Sequence, residues 1–160
     1  MERVVRVRDL KPWPGGGEVC LELTDLLPLF VPDGHGWIWS LRTIPELVYE
    51  ERWDLNIPFM FETIERERRG LTMSFEELQQ FAGRVSQVIW GEFIAARHPF
   101  ALSQSSASPA EVGREAIAGL LAIDSTYWMI GGPSAVIERV TARFSKVDVL
   151  RPEEWEPTDR

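Results

Sequence analysis

The side chains that could do chemistry are few and scattered. His35 and His98 are the only histidines, and neither has a ligand-type partner at i+3 or i+4, so the clustered donors that a zinc site needs are missing. His35 lies between Gly34 and Gly36 and reads as an exposed turn residue, and His98 stands before Pro99 at the end of a strand pattern. Cys20 sits in an apolar stretch, and Ser125 lacks the Gly-x-Ser-x-Gly elbow of an activated serine. Gly131-Gly-Pro-Ser134 leads into a helix as a phosphate loop would. Without the rest of the Walker pattern, it reads as a strand-to-helix turn with Pro133 at the first helical position. Asp124, beside Ser125 at a strand end, is placed where catalytic carboxylates often sit, and it is equally an ideal hairpin residue. Glu62, Glu65 and Glu67 interleave with Arg66, Arg68 and Arg69, which on a helix makes a solvated, self-paired face. No cofactor, metal or general acid is expected from this set.

The composition narrows the function classes further. The 160 residues suit one domain, and 44% hydrophobic with 26% charged residues exclude a disordered or collagen-like chain. With 17 Lys and Arg against 25 Asp and Glu, the net charge of −8 disfavours nucleic acid and suits a basic protein partner, although solubility alone would also explain it. The longest apolar run, Ile117 to Ile123, is too short to span a bilayer and reads as a buried strand, so no membrane association is expected. The alternation of Val and Arg at the start is unlike a signal peptide, and the single cysteine suits a reducing compartment. A cytoplasmic location is the expectation.

The elements that must position these groups alternate between strand and helix patterns. Strands are predicted at Val4–Arg8, Val19–Leu23, Trp37–Ile44 with the odd residues Trp37, Trp39 and Leu41 buried, and Val88–Ala95. A hairpin follows at Ile117–Asp124 and Tyr127–Ile130, and then a short strand at Val147 and Val149. Ser74-Phe-Glu-Glu77 is a capping box, opening a helix from about residue 75 to 85. A second helix carries Val136, Ile137, Val140 and Phe144 on one stripe. Residues 46–58 fit neither period and read as irregular, and Ser103–Pro109 reads as a mobile surface loop. The order gives an α+β fold, a mostly antiparallel sheet with two or three helices packed on one face. It forms a single domain over residues 1–150, with a polar, flexible tail at 151–160.

Seven tryptophans stand out. Trp37, Trp39, Trp90 and Trp128 lie in strand-like apolar segments and read as core, whereas Trp13, Trp53 and Trp155 sit in polar or Pro-rich contexts and become interface anchors if exposed. The partner surface expected from the acidic groups and aromatics comprises Glu46, Glu50, Glu51, Trp53, Asp54, Asp124 and Trp128. The rival reading is a small-molecule-binding protein or enzyme with a Trp-lined pocket near Asp124 and Trp128.

Over Phe75–Ala95 and Ala122–Val149 the chain carries a helix ending near Gln87, then Gly91-Glu-Phe93, then Asp124-Ser-Thr-Tyr-Trp128. A helix closing on Phe144 and a short strand complete the pattern. It resembles small uncharacterised bacterial proteins that are similar to immunity proteins of polymorphic toxin systems. The resemblance implies a protein that binds and neutralises a cognate toxin, and it brings no catalytic residue.

Overall fold

The computed structural model describes residues 1–49, 57–67, 70–98 and 116–155. Ten strands are present among them: β1 (Arg3–Val7), β2 (Leu10–Pro12), β3 (Glu18–Cys20), β4 (Ile38–Leu41), β5 (Glu46–Tyr49), β6 (Leu71–Met73), β7 (Val85–Ala96), β8 (Ala118–Ile123), β9 (Tyr127–Gly132) and β10 (Val147–Leu150). Four helices accompany them: the single turn α1 (Leu23–Leu26), α2 (Ile57–Arg66), α3 (Phe75–Ala82) and α4 (Ser134–Arg143). The main sheet runs β10-β1-β9-β8-β7-β4-β6, every pair antiparallel, and β2 and β3 make a separate ribbon. The fold is α+β, as the element order predicts.

β7 is twice as long as its neighbours, which lets two strands share one of its edges. β4 pairs with Phe93–Ala96, and β5 pairs with the first half from Val85 to Trp90 through two register shifts. Residues 46–49 are therefore a strand, not the irregular segment that their periodicity suggests. Bulged pairing breaks the strict alternation by which strands are recognised. Residues 57–66 are likewise helical, with Arg66 paired to Glu62 and Glu67 on the exposed face.

One face of the sheet meets the helices. Val5 and Val7, Trp39 and Leu41, Phe93 and Ala95, Leu120, and Trp128 and Ile130 pack against Phe30, Met60, Phe75, Leu78, Val136 and Val140. α3 starts where its capping box requires, with Ser74 Oγ accepting from Glu77 N–H and Glu77 returning a carboxylate oxygen to Ser74 N–H at 2.7 Å. Pro133 caps α4 from one position earlier than expected, and the carboxylate of Glu2 accepts from both Ser134 N–H and Oγ.

The opposite face is also apolar, and this explains why all six residues of β8 are buried. Val4, Ile94, Leu121, Ile123 and Met129 form it, closed by Met1 and Trp155. Glycines make room for both covers: a Cβ at Gly119 would stand 2.9 Å from the Trp155 ring, and one at Gly131 would collide with the Met1 thioether. The segment 151–160 reads in sequence as a flexible polar tail. Instead Pro152–Glu154 forms a 3-10 turn that drives Trp155 to 0% exposure, and residues 156–160 lie outside the described residues. The Ser103–Pro109 stretch also lies outside them.

Replacing Trp155 by Ala is expected to cost about 3–5 kcal/mol of stability in urea denaturation, the cost of a cavity under a fully buried aromatic. A cost below ~0.5 kcal/mol would mean that the second face does not need this cover.

Candidate functional site

Two of the predicted partner residues are brought to the same end of the sheet. Glu46 stands opposite Trp90 on one side of β7. On the other side, the β8–β9 turn reaches Ile89 through its Ser125 N–H at 3.3 Å. Glu46 and Asp124 thus flank β7 at a separation of about two strand spacings, ~10 Å. Both are exposed. Asp124 and Ser125 take φ of 49° and 52°, the left-handed geometry that Asp tolerates in a tight hairpin. Glu50, Glu51, Trp53 and Asp54 lie outside the described residues.

Trp128 does not belong on a partner surface. It is 3% exposed, and its Nε1 donates to the Leu21 carbonyl at 2.8 Å, tying β9 to the segment that enters α1. The alternation along β9 points it at the helical layer, which is where its apolar context had placed it. Trp13 is half exposed on the β2–β3 ribbon, and Trp37 and Trp90 are half-buried.

The groups with chemical potential are engaged in holding the fold. Glu2 occupies the N-terminus of α4, and its bonds from Ser134 lower its carboxyl pKa. Asp9 accepts from Ser145 N–H and Lys146 N–H, and these bonds outweigh its partial burial to leave its pKa low. Cys20 Sγ bonds the Ser125 carbonyl, and burial raises its thiol pKa, away from the thiolate a nucleophile requires. His35 Nδ1 meets Glu76 Oε1 at 2.6 Å, and its ring lies edge-on to Phe75, so this turn residue is anchored to α3. That bond lowers the Glu76 pKa. His98 is exposed. Among the described residues, no group of three or more His, Cys, Asp or Glu side chains could hold a metal ion.

The chain matches no family model, no curated protein and no solved structure. Its own surface is therefore the guide to its function. No helix among the described residues is long and apolar enough to cross a membrane.

Concavities lie beside β6. A cleft of about 290 Å³ is lined by Leu71–Met73 of β6, by Phe59 of α2, by Phe81 of α3 and by Arg84. A second, of about 500 Å³, continues over Thr72–Ser74 to His35 and Trp37. The two share Thr72, Met73 and Glu77. Phe59 is 52% exposed there, and Ile44, Val48 and Tyr49 are exposed nearby along the run into β5, whose Tyr49 pairs with Val85 beside Arg84. A third cleft, between Pro28 and Arg143, is bordered by Arg139, whose guanidinium is committed to the Leu29 carbonyl and Asp33.

Glu92 is the functional-looking group that the sequence conceals. It lies in the apolar run of β7, both faces of this sheet are covered, and it is 6% exposed with Oε1 accepting from Trp155 Nε1 at 3.1 Å. Burial raises its pKa, opposed by the Trp155 bond and the Arg42 charge. A carboxyl whose native pKa lies above its unfolded value favours folding when protonated. Stability at this site is thus greatest at acidic pH and is lost as pH rises from the unfolded pKa through the native one. Glu92→Gln, which keeps an acceptor for Trp155, is expected to be more stable than the parent at pH 7–8 and to match it near pH 4, as read by urea midpoints across that range. A parent more stable than the variant at pH 8 would show that Arg42 outweighs burial.

Proposed function

We propose that this protein is non-enzymatic and acts by binding another protein, through the sheet edge formed by β5 and β6. The observation that carries the reading is the gathering of exposed apolar side chains at that edge. Of the eight large hydrophobic side chains exposed among the described residues, Ile44, Val48 and Tyr49 lie on or just before β5, and Phe59 lies on α2, which contacts β6. Scattered exposed hydrophobics are ordinary, whereas a group of them on a strand edge marks an interaction site. The structural duties of Glu2, Asp9, Cys20 and His35 support the non-enzymatic part of the reading.

A net charge of −8, with Glu46 and Asp124 exposed at the adjoining end of the sheet, favours a partner with a basic surface, because complementary charge speeds encounter. Together with the resemblance over the second half of the chain, this makes a cytoplasmic immunity protein, neutralising a cognate toxin, the finer form of the proposal. The toxin would be encoded next to it. Co-expression with the neighbouring gene product is expected to restore growth that this product alone arrests. The double substitution Val48→Lys with Tyr49→Lys should remove the protection while leaving the thermal midpoint within a few degrees of the parent. A neighbouring product that arrests nothing, or protection that survives the double substitution, would contradict the immunity reading and the edge assignment respectively.

A further inference from the structure

Resting on the reading of this protein as a binder, we propose that the groove along β6 takes an extended segment of the partner, with one basic side chain set between two apolar ones. β6 ends the strand order of the sheet, and β4 is its one strand neighbour among the described residues, so an extended segment laid against it would continue the sheet. Two clefts adjoin there, since both are lined by Thr72, Met73 and Glu77. The first cleft covers Leu71–Met73 and the second Thr72–Ser74, so their order follows the direction of the strand itself.

The side chains along it are graded. At the Leu71 end, Phe59 and Phe81 offer an apolar seat; at the Ser74 end, Trp37 and Ile38 offer another. Glu77 lies between them, in both clefts. Its carboxylate is held in place before any partner arrives, because one oxygen is committed to Ser74 N–H in the capping box and the other remains for a ligand. Glu76, exposed beside it and bonded to His35, adds a second negative charge. Alternate residues of an extended chain project to one side about 6.6–6.8 Å apart, which suits an apolar, basic, apolar sequence at i, i+2 and i+4. Arg84, which lines the first cleft and not the second, disfavours a second basic residue at that end, so the charge gradient also sets the direction of the bound segment.

The test uses the full chain as bait for a phage-displayed random dodecapeptide library, followed by synthesis of the enriched peptides. Peptides with Arg or Lys flanked at two-residue spacing by apolar residues should be enriched. In amide NMR spectra their binding should shift Leu71–Met73, Glu77 and Trp37. Glu77→Gln retains the capping box, since Gln serves there as well as Glu, and Phe59→Asp alters a half-exposed side chain; each should weaken binding by about tenfold or more. Absence of enrichment, peptides that bind both variants as tightly as the parent, or shifts confined to other strands would overturn the groove. Growth protection that both variants retain would overturn the groove and leave the function standing. Selected peptides that bind through β6, with no protection against any neighbouring product, would do the reverse.

Discussion

An antiparallel sheet with two apolar faces has to be covered twice, and the indole of Trp155 is what closes the second side of this one. The helices α2, α3 and α4 bury the face that carries Trp39, Phe93 and Trp128. The other face has Met1 and the turn after β10. Trp155 fits there because Gly119 leaves the space for its ring and Glu92 accepts its N–H. A buried carboxylate is a costly acceptor compared with an amide, so the contact that completes the core also carries a built-in sensitivity to pH.

Covering both faces has a consequence for where a partner can bind. With the flat surfaces of the sheet taken, the open backbone lies at its edges, and the two ends differ. β10 is tied across β1 by Arg6 and Arg8 to Asp148, charges of the kind that protect an edge from pairing. The β5–β6 side instead exposes Val48, Tyr49 and Phe59 and frames a groove around Glu77. The length of β7 creates this asymmetry, since the short strands β4 and β5 share the edge that one long strand would otherwise close.

Much of this was legible in the sequence where the cause is local. The capping box at Ser74, the β8–β9 hairpin turning at Asp124 and the burial of Trp39 and Leu41 on β4 all follow from neighbours within a few residues. What was not legible depends on distant partners. β5 is bulged, so its alternation fails, and β6 is only three residues long. Trp155 reads as part of a polar tail because its acceptor lies 63 residues away. The burial of Glu92 depends on the second cover, which is invisible from β7 alone. Trp128 was placed in the core by its apolar context and at the partner surface by its closeness to Asp124. The packing decides for the core.

The account stands most directly on which amides a partner protects. Hydrogen exchange of the chain, alone and mixed with the product of the neighbouring gene, should show β8 and β9 slow in both states, with protection gained at Leu71–Met73 and Glu46–Tyr49 in the mixture. Protection gained instead along Val147–Leu150, or at no strand edge, would contradict it.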